Sequence, residues 1–327
     1  MNYEEAKKAF TTLFDGAMGD DEARAFLVAM YERGESEEEI RAAVEVMRGR
    51  GVAFEVSDSL KPLLVDNCGT GGDKSGSFNI STTVSFVLAS LGLYVAKHGN
   101  RSITSKSGSA DMLEALGIKI DLDEKSRVAM LEESGFVFLF APLFHPALKH
   151  IMPIRRSIPH RSIFNLLGPL CNPAGVQRHL IGVYDFSFAQ KCAEALKNTG
   201  SKSGIIVSGR DGMDEGSICS VSDYVYFDEN GLDTFELDPN RYGLKLYPPE
   251  AIAGGEAKEN AEITYNLLKN GDDEAKLSAV MLNTALALVG AQKASDIKEG
   301  LEMAEYAVKS KKAFATLQKI IDLSKKV

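Results

Sequence analysis

From residue 63 onward, short apolar runs alternate with stretches of helical character, and few folds accept that rhythm. The runs fall at residues 63–65, 93–96, 118–120, 136–140, 180–184 and 205–208, with helical segments around 81–91, 110–116, 125–134 and 188–198. Such alternation implies a mostly parallel sheet with helices on its faces. The stretch 223–237 breaks the pattern: an apolar run at 224–227, a turn at 229–231 and a second run at 234–237 read as a hairpin or an antiparallel edge strand. Beyond Pro248 the chain returns to helix, including "EAKLSAVMLNTALALVGA" and residues 297–309.

The first sixty residues read as helical throughout. Tyr3, Ala6, Phe10, Leu13 and Phe14 share a face at helical spacing, as do Phe26, Leu27 and Met30, and then Ile40, Val44 and Met47. Asp20 reads as an N-cap, Ser36 with Glu39 as a capping box, and Gly34 and Gly49 as stops. The expected division is a small helical domain over residues 1–62 and a larger α/β domain over 63–327. Residues 145–172 carry too many prolines for one regular helix. They are expected to leave the sheet domain as short helices and loops, pass beside the helical unit and return. A cleft where the two domains meet is the natural ligand site.

The chain has 327 residues, room for about two domains, and a formal net charge of -9. A nucleic-acid surface needs the opposite balance, so any phosphate binding should be local. Four scattered cysteines and five histidines without paired spacing argue against a zinc site and suit reduced thiols. No targeting segment is visible, and the longest apolar runs fall short of the ~18 residues a membrane span needs. The expectation is a cytoplasmic protein.

Three polar clusters interrupt the sheet rhythm. "GTGGD" lies between an apolar run and a helix expected near Ser81, where backbone N–H groups and a helix N-terminus could hold an anion. It is neither a Walker loop nor the dinucleotide fingerprint. Asn79, Ser81 and Thr82 at the helix start serve equally well as caps or as phosphate donors. "KHGNRS" begins where the next apolar run ends, at the carboxyl edge where parallel sheets bind ligands. "DGMDEGS" follows the run 205–208. There Asp214 and Glu215 read as a solvated acidic turn or, facing a polyphosphate, as a magnesium ligand pair.

Together the motifs resemble the anthranilate phosphoribosyltransferase family of tryptophan biosynthesis. They run in shared order through nearly the whole chain: "GTGGD", "NIST", "KHGNR", "SGSADMLEALG", "HPALKHIMPIRR", "FNLLGPLCNPAG", "DE", "LNTALAL" and "KEGLEMA". The resemblance implies a homodimer through the helical domain and a fold like the nucleoside phosphorylases. It also implies Mg2+-dependent transfer of a 5-phosphoribosyl group from phosphoribosyl pyrophosphate (PRPP) to the amine of anthranilate, releasing pyrophosphate. By that resemblance the PRPP positions are Gly69, Gly72, Asp73, Ser77, Asn79, Ile80, Ser81, Thr82, Lys97, His98, Gly99, Asn100, Arg101, Ser102, Ile103, Thr104, Ser105 and Ser109. Ser81, Asp214 and Glu215 match magnesium positions, and Gly69, Asn100 and Arg155 match anthranilate contacts.

The chain departs from the family pattern at a few positions. Ser77 and Ser162 stand where threonine is frequent, Pro159 where glycine is usual, and Gly216 where a bulkier residue would stiffen the acidic loop.

The chemistry expected is displacement at the anomeric carbon, with the departing pyrophosphate stabilised by Lys97, Arg101 and Mg2+. Anthranilate is itself the nucleophile, so no covalent intermediate is required. His98 and His145 read as positioning or packing residues, Arg156 and Arg161 as surface charges or helpers of Arg155, and Cys68 as a filler. The rival readings are a paralogue that ribosylates another aromatic amine, a pyrimidine nucleoside phosphorylase, and a nucleic-acid-binding relative of the fold.

Overall fold

The computed structural model describes residues 1–102 and 106–327. Three helices open the chain: α1 (Tyr3–Phe14), α2 (Asp20–Arg33) and α3 (Glu37–Gly49). The capping box at Ser36 forms, and the buried Glu39 that completes it also receives the Arg33 guanidinium at 2.7 Å and the chain terminus. Asp20 is the first helical residue rather than the cap; Gly19 takes that position without a side-chain bond. Helix also ends sooner than expected. Residues beyond Gly49 run extended because they tie into the other domain, with the Val52 N–H donating to Phe144 O and the Phe54 N–H to Pro173 O.

The larger domain contains β1 (Leu64–Gly69), α4 (Ile80–Ser90), β2 (Tyr94–Gly99), α5 (Ser109–Ala115), α6 (Glu124–Ser134), β3 (Phe136–Phe140), α7 (Ala141–Phe144), α8 (Leu148–Ser157) and α9 (Phe164–Leu170). It continues through β4 (Arg178–Gly182), α10 (Ala189–Asn198), β5 (Ser203–Gly209), β6 (Ser222–Phe227), β7 (Leu232–Leu237), α11 (Ala257–Asn270), α12 (Glu274–Gly290), α13 (Ile297–Lys309) and α14 (Lys312–Ser324). The seven strands order as β3-β2-β1-β4-β5-β6-β7. The first five run parallel, while β6 and β7 form the antiparallel hairpin the sequence predicts. Residues 118–120 are not a strand. Ile118 and Ile120 are buried, but the Lys119 N–H turns to the Ser324 hydroxyl, so this segment packs on the last helix instead of pairing with the sheet.

Each face of the sheet has its own apolar layer. Val65, Val95, Leu180 and Ile205 face one layer with Phe86, Leu282, Leu286 and Leu317. Ile181, Val183, Ile206 and Val225 face the other, which is continuous with Phe10, Leu27, Ile40 and Val44 of the helical unit. Alternate residues of β4 and β5 thus serve different layers, as the strand period requires. The helical domain is seated on the sheet's second face through α9 and α10, which pack on α3, while α8 packs on α1 and α2. The topology places the site. β1 connects to β2 on one side, but the chain returns from β3 to β4 on the other, so the crevice at the carboxyl ends of β1 and β4 is a topological switch point.

Candidate active site

The glycine loop opens in that crevice. Gly71 and Gly72 adopt φ +70° and +68°, a left-handed pair that side chains resist. The Thr70 N–H donates to Gly182 O, so the loop runs on beside β4 before turning. Its far limb is pinned by residues 252–254: Phe78 N–H donates to Ile252 O, Gly254 N–H to Gly76 O, and Ser77 bridges Ala253. Asp73 accepts from the Ser75 N–H at 3.1 Å. Among the described residues no side chain caps α4, although Asn79 stands at its N-cap. The Asn79 amide turns instead to Ser107 O and to Asn260. Ile80 and Thr82 are buried, and the Ile80 N–H already donates to Phe78 O at 2.7 Å.

The acidic loop after β5 folds onto the glycine loop. Asp214 Oδ2 accepts the Gly71 N–H at 2.5 Å and the Thr70 hydroxyl at 3.4 Å, and the Asp214 N–H donates to Asp73 Oδ2 at 3.5 Å. Gly69 and Gly182, which stand opposite each other in β1 and β4, make this possible. A Cβ at Gly69 would lie 2.3 Å from Asp214 Oδ2, and one at Gly182 only 1.5 Å from the Asp214 carbonyl oxygen. Gly216 does not loosen the loop, contrary to the expectation from its size. Asn283 accepts its N–H and donates to its carbonyl, both at 2.8 Å, and Leu286 occupies the space a side chain would need.

Beneath this mouth lies a fully buried Lys97. Its ammonium donates to Asn67 O at 2.7 Å and to Ser81 Oγ at 3.3 Å. Asn67 in turn donates to Ser81 O and accepts from Ser85, and Asn67, Cys68, Ser81, Glu215 and Asn283 line one narrow crevice. Burial raises the pKa of Asp66, against the pull of Lys97 and of Asn172. Burial also raises Asp214 and Glu215. Asp73 adds to the rise at Asp214, and Asp214 and then Asp73 add to it at Glu215, while Lys97 works against it there.

Asp73, Asp214 and Glu215 disfavour one another's charge, and of the three Lys97 eases Glu215, so the set is one that a divalent cation would relieve. Among the described residues no closed group of three His, Cys, Asp or Glu ligands exists. Mg2+ takes one or two carboxylates and completes its shell with substrate oxygens and water, and Asp214 with Glu215 supplies that number. The donor set fits it.

Elsewhere the site residues are held differently. Arg101 lies exposed in the loop after β2 and is engaged by α5: Glu114 receives it at 2.5 and 2.8 Å and Asp111 at 3.0 Å, which raises its pKa. A ligand phosphate would have to draw it from those carboxylates. Asp111 also accepts the Ser102 and Gly108 N–H groups, and Ser109 Oγ donates to the carbonyl of exposed Asn100. A Cβ at Gly99 would meet Ser109 Oγ. Ile103, Thr104 and Ser105 lie outside the described residues. His98 Nδ1 donates to Gly168 O, and its ring meets that of His145 edge-on at 5.1 Å. Burial lowers these two histidines to about 3 and about 4, so both are neutral at pH 7. Arg155 on α8 faces the Phe164 ring at 5.1 Å and the Met152 sulfur, and among the described residues it has no carboxylate partner. Burial lowers it to about 10, leaving it charged.

Comparison with known proteins agrees with this arrangement. Residues 61–314 match the glycosyl transferase family a/b domain, and residues 1–51 match the helical bundle domain of the same family. Anthranilate phosphoribosyltransferase of Xanthobacter autotrophicus is 43% identical over 324 residues, covering 99% of this chain and 93% of the relative. The Aquifex aeolicus enzyme of that name is 41% identical, with 99% and 94% covered. The chain belongs to the anthranilate phosphoribosyltransferase family.

Solved structures of the family extend the likeness. The anthranilate phosphoribosyltransferase of Thermus thermophilus superposes with TM-score 0.92 at 37% identity, covering 99% of this chain and 96% of that one. The Saccharomyces cerevisiae enzyme, solved in complex with PRPP and Mg, gives 0.88 at 27% identity, with 100% and 94% covered. Within this family fold, several contributors were given no role by the motifs, although Asn172 and Asn283 stand inside two of them. Asn67, Asn172 and Asn283 are single amides that only tertiary contacts single out. Gly182 sits in the middle of the apolar run 180–184, and a glycine inside such a run is a legible sign of close backbone approach.

Proposed function

We propose that this chain transfers the 5-phosphoribosyl group of PRPP to the amine of anthranilate, giving N-(5-phosphoribosyl)anthranilate and pyrophosphate. The observation that carries the reading is the meeting of Asp73, Asp214, Glu215 and Lys97 at the switch point, beneath an uncapped helix N-terminus and a left-handed glycine pair. Such a mouth suits a sugar bearing several phosphoryl groups, with backbone N–H donors for the anions. Lys97, fixed on Asn67 and Ser81, supplies a buried positive charge whose position costs nothing to reorganise as the leaving pyrophosphate gains charge. Asp214, Glu215 and the Ser81 hydroxyl are the residues that would hold Mg2+. When bound, the metal neutralises charge on the departing oxygens.

Arg155 offers the acceptor's carboxylate a paired donor face. Half-buried beside an aromatic ring and with no acid partner among the described residues, it gains more from a bound anion than an exposed arginine would. The anthranilate amine forms the new C–N bond as the C–O bond to pyrophosphate breaks, and one amine proton is released. His98 and His145, buried edge to edge and neutral, add no charge of their own.

The proposal extends to the assembly. The chain divides near residue 62, with part of 145–172 joined to the helical unit, and pairs as a homodimer through that unit, where Met1 and Tyr31 stay exposed. Sedimentation at micromolar concentration tests the dimer. Residence in the cytoplasm fits four free cysteines, and among the described residues no helix is long and apolar enough to cross a membrane. The deciding assay follows loss of anthranilate fluorescence with PRPP and Mg2+, against pyrimidine nucleosides with phosphate. Loss only with PRPP and Mg2+ is expected; phosphorolysis of a nucleoside instead would overturn the proposal.

A further inference from the structure

Arg161 belongs to neither substrate set, yet it touches the centre of the phosphate loop. It lies in the linker between α8 and α9, with its guanidinium over the Tyr184 ring at 3.8 Å from the centroid. From there it donates to the carbonyl oxygen of Gly72. Gly72 is the second of two left-handed glycines, where a peptide can turn over with little steric resistance. If that carbonyl turned inward it would face the phosphoryl oxygens and repel them. Held by a cation on the outer side, it leaves the loop's N–H groups as the inward-facing dipoles.

Arg161 is itself braced from the helical domain along two routes. The Tyr184 ring leans on Phe188 at 5.7 Å, and Lys191 sits over Phe188 and donates to Glu35 O at 2.7 Å in the turn between α2 and α3. On the backbone side, His160 Nδ1 donates to Arg161 O at 2.7 Å while its ring stacks on Tyr31 of α2 at 3.8 Å.

We propose that Arg161 is a positioning residue for PRPP. It fixes the Gly72 peptide so that the glycine loop presents donors to the phosphates, and it links the loop's orientation to the seating of the helical domain. The inference rests on the PRPP-dependent activity proposed above.

Kinetics of the full-length protein test it. Arg161→Ala should raise KM for PRPP about tenfold or more while KM for anthranilate stays within about threefold, as loss of one hydrogen bond from a charged donor predicts. Arg161→Lys keeps charge and a donor but not the flat face that stacks on Tyr184, and should recover part of the loss. Tyr184→Leu should move KM for PRPP the same way. Combined with Arg161→Ala it should add nothing, since the ring acts through the guanidinium. Thermal unfolding of each variant separates this from a structural role. A lowered melting temperature with unchanged KM for PRPP, equal rises in both KM values, or additive effects of Arg161→Ala and Tyr184→Leu would each overturn the proposal. Should Arg161→Ala not fold, Arg161→Lys and Tyr184→Leu decide in its place. Wild-type protein that does not use PRPP at all would defeat the activity reading itself, whereas active wild type with an indifferent Arg161 defeats only this inference.

Discussion

The two halves of the site are built on opposite principles. Around the glycine loop nearly every polar group is already committed: Asp214 to Gly71 and Thr70, Lys97 to Asn67 and Ser81, Gly216 to Asn283. In the acceptor half, Arg155 on α8 has a sulfur and a ring beside it, and Nε2 of His98 on β2 lacks a hydrogen-bond partner among the described residues. The first half is preorganised by internal bonds, so damage there should cost fold and activity together. The second keeps its polarity in reserve for a ligand, so damage there should cost affinity alone.

The largest effect should come from Lys97→Met. Removing one charge from a buried network leaves Asp66 and its neighbours uncompensated, a cost of about 3–5 kcal/mol. A fall of about a thousandfold in kcat/KM for PRPP, with lowered thermal stability, is expected from steady-state kinetics and melting curves. Normal stability would break the contrast on its committed side. Arg155→Ala sharpens the other side. KM for anthranilate should rise roughly tenfold to hundredfold, the worth of a charged hydrogen-bonding partner, with KM for PRPP unchanged. The melting temperature should hold or rise, because a desolvated cation without an acid partner has been removed.

Gly182→Ala comes next. Its Cβ would press on the Asp214 carbonyl, and overpacking of this kind costs about 1–3 kcal/mol. Denaturant unfolding should register the loss, and magnesium titration of activity should shift to higher concentration, because Asp214 is displaced.

The smallest effect is in acid. His179 is buried against Ser201, and burial together with Arg48 lowers it to about 3, below its ordinary value of about 6.5. A histidine depressed in the fold contributes stability that is complete above pH 6.5 and is lost as pH falls toward 3. At pH 6 the loss is about 1 kcal/mol. His179→Gln should flatten the fall in melting temperature over that range, and an unchanged slope would remove the histidine from the account.

Periodicity carried much of the fold. Phe136–Phe140 is a strand over the span its apolar run predicts, and the hairpin of β6 and β7 follows from its turn and flanking runs. Residues 118–120 misled because a short apolar run reports burial, not pairing; Ile118 and Ile120 are indeed buried, but beside a helix. In the site, the order of the glycine loop, the basic cluster and the acidic pair was legible, since strand ends in a parallel sheet share one edge. The state of each charge was not. Lys97 and Arg101 stand four residues apart in one motif, yet one is fully buried under the mouth and the other lies in solvent on Asp111 and Glu114.

What the chain determined alone was which segments would be strands and helices, and that three polar loops would gather at one sheet edge. These follow from hydrophobic period and from the backbone freedom of glycine, both local properties. Tertiary structure decided which carboxylates face one another, that Gly182 must lack a side chain, and that Arg161 grips Gly72. Each depends on distances between segments remote in sequence, where burial and neighbouring charge set the strength of every polar group.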